Sequence, residues 1–131
     1  MGTPEARTLT EVEMEIMNAV WDGGEATVPQ LCAILRRRGK PLAQSSVRTM
    51  LSILLRKGYV RRRDAARGHW YRAAVSKDRA QGRMLRSLIR RLFDGSGMSL
   101  AAAIMKDGLV SDREIAEAKR MIRDRERRSG V

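Results

Sequence analysis

Apolar residues return along the chain every three or four positions, then every two, then every three or four again, which predicts helices, a hairpin and more helices. Val12, Ile16, Met17, Val20 and Trp21 form the first helical stripe. Thr10 stands before it with Glu13 three residues on, a capping box, and Leu9 is placed to staple against Met14. Glu11, Glu13 and Glu15 are expected on the exposed N-terminal half, where the helix dipole favours carboxylates, and Gly23 and Gly24 end the helix. Thr27 caps a second helix with Pro29 in its first turn and Leu31, Ile34 and Leu35 facing inward. Its end, Arg36, Arg37, Arg38 and Gly39, serves either the helix dipole or a phosphate.

The stretch from Ala43 to Gly58 carries a third stripe of Val47, Met50, Leu51, Leu54 and Leu55. Its other face holds Ser45, Ser46, Arg48, Thr49, Ser52 and Arg56: short hydrogen-bonding groups first, cations further along. That face suits an ordinary amphipathic surface helix or one lying in a DNA major groove, where short side chains reach base edges and arginine reaches guanine or phosphate. The context decides. After Gly58 the period falls to two: Tyr59 to Arg63 reads as a strand, Asp64 to Gly68 as a polar turn, and His69 to Ala73 as a second strand. Trp70 and Tyr71 then point to opposite faces, one toward the helices and one toward solvent. Three helices and a cationic hairpin describe a winged helix-turn-helix.

Helical spacing resumes from Ser76 to Asp94, with Met84, Leu85, Leu88, Ile89, Leu92 and Phe93 on one side, and Gly95, Ser96 and Gly97 break it. Leu100, Ala101, Ile104 and Met105 make a short turn of helix before Gly108. Ser111 with Glu114 is a further capping box, opening a last helix with Ile115, Ala118, Met121 and Ile122. The expected class is therefore mainly α with a small β-hairpin: a winged helix-turn-helix over residues 1–75 and a helical domain over 76–131. The second part has too little apolar surface to stand alone, and a second copy of the chain is the economical partner. Leu85, Leu88, Ile89, Leu92, Ile115, Met121 and Ile122 are the expected dimer-forming side chains.

Charge points toward a polyanionic partner. The 131 residues carry 27 Lys and Arg against 15 Asp and Glu, a net charge of +12. Residues 26–91 hold 18 basic side chains and two acids, Asp64 and Asp78, whereas residues 10–25 hold five acids and no base. No run of 18 apolar residues exists, and the opening MGTPEARTLT lacks a secretory pattern, so a cytoplasmic protein without membrane insertion is expected. The single cysteine, Cys32, sits in an apolar helical pattern as a buried thiol. Met14, Met17, Met50, Met84 and Met121 lie at core spacing rather than in a soft-metal box. His69 has no Cys or carboxylate cluster beside it, so no metal, cofactor or catalytic residue is expected. A small nucleic-acid-processing enzyme lacks paired carboxylates or an activated nucleophile; a non-specific architectural or RNA-binding protein using the same cations is the alternative, and the lack of an exposed aromatic set weakens its RNA version.

The order of elements and three local strings resemble the BlaI/MecI family of penicillinase repressors, within the group that includes CopY-type copper-responsive regulators. The strings are LTEVEMEIMNAVW at Leu9 to Trp21, SVRTMLSILLRKGYV at Ser46 to Val60, and Arg67 with Tyr71 in the hairpin. The resemblance runs from Leu9 to about Arg123. It implies a dimeric winged-helix repressor that binds double-stranded operator DNA of two-fold symmetry, with the C-terminal helices as dimerisation domain. By position it implies that Gln44, Ser45, Ser46, Arg48 and Thr49 face the major groove, with the Thr49 methyl available to thymine, and that Arg67 is the wing contact to phosphate or minor groove. Within the winged-helix part the chain departs from the family in three places. Ile53 replaces a usual Arg, leaving one phosphate contact missing or supplied by Arg56, Ala73 replaces a frequent Pro, and Ala43 replaces a capping Ser or Thr. In the family a membrane metallopeptidase sensor leads to cleavage of an Asn-Phe bond in the dimerisation domain, and at the matching place this chain has Ala103 and Ile104. The copper branch carries a cysteine-rich tail, which this chain lacks.

Overall fold

The structure, a computed structural model, describes residues 8–130. Most of the N-terminal string MGTPEARTLT, on which the absence of a secretory pattern rests, lies outside the described residues. Six helices and one hairpin follow in the order α1 (Glu11–Gly23), α2 (Val28–Arg37), α3 (Gln44–Lys57), β1 (Val60–Ala65), β2 (Gly68–Ala73), α4 (Lys77–Phe93), α5 (Gly97–Lys106) and α6 (Asp112–Arg128). The chain divides into two compact units, Met1–Ser87 and Leu88–Val131, with the division falling inside α4. The first unit is a winged helix; the fold class expected from the pattern is the one observed.

Its core is built from the predicted stripes. Ile16, Met17, Val20, Leu31, Leu35, Val47, Leu51 and Leu54 are all fully enclosed, joined by Tyr59, Val60 and Tyr71. Both reciprocal bonds of the Thr10–Glu13 box form, and Thr27 makes a second box with Gln30 that the pattern alone did not announce. Trp21 is half-buried and donates its indole N–H to the Val75 carbonyl at 3.0 Å, tying the end of α1 to the segment after the hairpin.

Two expectations for α1 are corrected. Glu13 is buried and Val12 is exposed. The capping box draws the Glu13 carboxylate back toward Thr10 and inward, so the buried positions 13, 16, 17 and 20 become the inner face and Val12 falls outside it.

The third helix stops at Gly58, which takes φ +82°, a left-handed conformation that costs glycine little. The N–H of Tyr59 then reaches back to the Leu54 carbonyl at 2.9 Å and that of Gly58 to Leu55 at 3.1 Å, a Schellman motif. This closure turns Tyr59 into the core, so β1 begins one residue later than the alternation suggests.

The hairpin is longer and its turn tighter than expected. Its antiparallel ladder pairs Val60 with Ala73, Arg62 with Tyr71, Arg63 with Trp70 and Asp64 with His69, leaving Ala66 and Arg67 as the turn. Asp64 joins the strand because its carboxylate meets the His69 ring at 2.7 Å across the ladder. Gly68 accepts φ +127° next to the turn. Ala26 adds a backbone bridge to Tyr71, with N–H to O distances of 2.9 and 2.8 Å. Tyr71 is buried and Trp70 half-buried, as alternation requires.

In the second unit α5 starts at Gly97, capped by Ser96 onto the Ser99 N–H, so the Gly95–Gly97 break is shorter than read. The Ser111–Glu114 box opens α6 as expected. No described residue beyond Ser87 is buried, and Met121, assigned to core spacing above, is 69% exposed.

Candidate nucleic-acid interface

Within the first unit α2 and α3 form a helix-turn-helix and the hairpin rises beside α3. Gln44, Ser45, Ser46, Arg48, Thr49 and Arg56 are all exposed on α3, while Val47, Leu51 and Leu54 hold its other side in the core. The outward face is internally ordered. Arg48 donates to the Gln44 side-chain oxygen at 3.1 Å, and the Thr49 hydroxyl donates to the Ser45 carbonyl at 3.0 Å. With its hydroxyl proton engaged in the helix, Thr49 presents a methyl and oxygen lone pairs rather than a donor. Ser52 is turned back onto the Arg48 carbonyl in the same way.

Arg48 and Arg67 come together although they belong to different elements. Both line a groove of about 250 Å³, with Thr27, Pro29, His69 and Tyr71 among its other lining residues. The tight turn puts Arg67 at the tip of the wing, and α3 brings Arg48 to its foot. Arg56 lies near the far end of α3 and does not line this groove. Ile53, where the family usually has Arg, is half-buried on α3.

The other cations divide by partner. Lys57, next to Arg56, turns inward: its ammonium lies 2.7 Å from the Glu13 carboxylate and 3.0 Å from the Thr8 carbonyl. Burial pushes the Glu13 carboxyl up, but the bonds from Lys57 and the Thr10 N–H outweigh it and hold the group below its ordinary range. Arg38 pairs with Asp22 at 2.7 Å, at the exposed end of α2. Arg62 lies 3.2 Å from Asp64. Arg63 makes a two-pronged contact with Glu25, at 2.8 and 3.1 Å, and its guanidinium also sits 5.5 Å from the Trp70 ring centre. The Arg63 hydrogen bond holds the Glu25 carboxyl below its usual range, with Arg72 adding to the field. Glu25 and Asp64 were missed as structural partners, since nothing local in the sequence joins residue 25 to residue 63.

In α4–α6 the expected dimer-forming residues fall into two groups. Leu85, Leu92, Met121 and Ile122 are exposed, while Leu88, Ile89 and Ile115 are half-buried. Ala103 and Ile104 lie inside α5 and are half-buried. No helix among the described residues is long and apolar enough to cross a membrane. No described group of three or more His, Cys, Asp or Glu side chains converges where a metal ion would sit.

Among solved structures, HlyU from Vibrio cholerae in its reduced form is 26% identical, with a TM-score of 0.44 over 64% of this chain and 78% of that one. A cysteine-to-serine mutant of MarR from E. coli, complexed with operator DNA, is 14% identical, with a TM-score of 0.47 over 92% of this chain and 78% of that one. Nothing matches among curated protein sequences. A model of the penicillinase repressor family matches residues 9–124, nearly the whole chain, and the chain belongs to that family of DNA-binding repressors.

Proposed function

We propose that this repressor acts as a homodimer on an operator of two-fold symmetry, each protomer reading one half-site with the Gln44 to Thr49 face of α3. The half-sites would lie about one helical turn, roughly 10 bp, apart. The observation that carries the reading is the groove in which Arg48 and Arg67 meet beside that polar face. Backbone cations supply affinity without sequence preference, and the short side chains of α3 supply discrimination. Arg67 reaches phosphate or minor groove from the wing tip, and Arg56 supplies the cation that Ile53 does not. Repression is occlusion of a promoter, without chemistry.

Derepression follows loss of the dimer, because a monomer keeps half of the contacts. A membrane metallopeptidase sensor acting indirectly would supply the signal. The Ala103–Ile104 bond is helical in α5, so a protease can take it only after α5 unwinds locally.

Selection of random-sequence duplexes by the purified protein tests the proposal. Enrichment of a palindrome, bound about a thousandfold or more above random duplex, is expected. Thr49→Ala should then lower discrimination at one base position by about 1 kcal/mol while leaving the salt slope unchanged. Arg67→Ala should weaken operator and random duplex alike and reduce the slope by about 0.9. Equal affinity for every sequence would instead describe an architectural protein.

A further inference from the structure

We propose that Glu25 is a positioning residue for DNA binding: it fixes the pitch of the wing through Arg63 and keeps Arg63 off the phosphate backbone. This rests on the reading of the α3–wing groove given above and extends it to a residue outside that groove.

A two-stranded hairpin is marginal by itself and takes its orientation from what it leans on. Here the inner face is anchored by buried Val60 and Tyr71 and by the backbone bridge from Ala26 to Tyr71. Beyond Tyr71 toward the tip, Trp70 is half-buried and His69 and Gly68 are exposed, so the core gives no further hold. The next register step is Arg63 opposite Trp70, and there Glu25, the neighbour of Ala26, grips the guanidinium with both oxygens. The Trp70 ring lies against the same guanidinium. A planar fork between arginine and carboxylate restricts direction as well as distance, and the ring adds a second constraint. The α1–α2 connection thus sets where the wing tip, and with it Arg67, stands relative to Arg48.

Charge adds a second effect. The hairpin carries Arg61, Arg62, Arg63, Arg67 and Arg72, with Arg61 directly opposite Arg72 in the ladder. Like charges facing one another across a ladder repel. Asp64 already meets His69 and Arg62, which leaves Glu25 as the carboxylate between Arg63 and Arg72. Removing its charge loosens the wing and releases one cation toward DNA.

Glu25→Gln, close in shape to the native side chain, tests both effects. With random-sequence duplex as probe, its salt slope should steepen by about 0.9, the increment for one added phosphate contact. Its preference for the operator selected by the wild-type protein should fall by about fivefold or more, the scale of one mismatched base pair. Arg63→Gln, which breaks the fork from the other side, should lower the preference without steepening the slope. Unchanged slope and preference in Glu25→Gln would overturn the assignment. A wild-type protein that selects no sequence would overturn the DNA reading instead. Amide exchange at Ala26 and Tyr71 in DNA-free protein then decides the tether alone: faster exchange in Glu25→Gln upholds it, and unchanged exchange removes it.

Discussion

Lys57 and Glu13 show how one side chain can have its role reversed by a partner 44 residues away. Lys57 ends α3 beside the exposed Arg56, yet its ammonium satisfies a carboxylate that is 3% exposed. Removing one member of a buried pair strands the other, and such changes cost about 3 kcal/mol or more. Lys57→Met should therefore lower stability at pH 7 by about 3 kcal/mol in urea unfolding. The pH dependence has a definite sign. The Glu13 carboxyl is held below its ordinary value of 4.5, so its contribution is complete above that pH and is lost as pH falls through the lower folded value. In Lys57→Met the same carboxyl is buried without its ammonium, and acid relieves it. The stability gap between the two proteins should narrow as pH falls from 7 to 3, and a gap constant over that range would show that the Glu13 charge is not its source. Residue types were legible in the sequence, but partners were not: Glu13 was read as exposed because carboxylates near helix starts usually are, and Glu25 was passed over because residue 63 is remote from it.

Among the elements, α3 is the exception in how it begins. Thr10, Thr27, Ser96 and Ser111 each accept a backbone N–H at the start of their helices, whereas Ala43 stands at the start of α3 with no side-chain cap. Its backbone already has the extended φ −68°, ψ 152° of a cap position, and neither Ser45 nor Ser46 makes up the loss. Ala43→Ser should stabilise the protein by about 1 kcal/mol, seen as a rise in Tm of about 4 °C. No rise would mean that the first turn of α3 is already satisfied by water. Helices were legible because stripes and caps are local, encoded within a few residues of where they act. The hairpin turn was less so, since Asp64 enters β1 through a contact with His69 across the ladder. The Ala26 bridge left no trace in the sequence at all, because a backbone pairing uses no particular side chain. The polar face of α3 was legible as a set, but its meeting with Arg67 depends on a turn two residues long.

At the scale of the molecule the two units differ in how they use apolar surface. The first encloses its core. The second buries no described residue, and Leu92, Met98, Met105, Leu109, Met121 and Ile122 all stand exposed in it. Six large apolar side chains in so short a segment exceed what a monomer normally leaves to water, and a self-complementary pairing of two chains covers such a face with the fewest components. The sequence predicted the deficit, since the stripes were visible and the segment too short to bury them. A second copy of the chain as cover came from economy of components and not from the stripes themselves, because an apolar stripe specifies that it be buried without specifying by what. Leu92 and Met121, 68% and 69% exposed, are the positions where a charge should oppose pairing without disturbing the first unit. The double change Leu92→Glu with Met121→Glu should convert a dimer to a monomer in sedimentation equilibrium. Operator affinity should fall by about a hundredfold or more as one half-site is lost from each binding event, while α1 to β2 keep their amide-exchange protection. A wild-type chain that sediments as a monomer at every concentration, or a double variant that still pairs, would remove the dimer from the mechanism and leave a repressor that reads a single half-site.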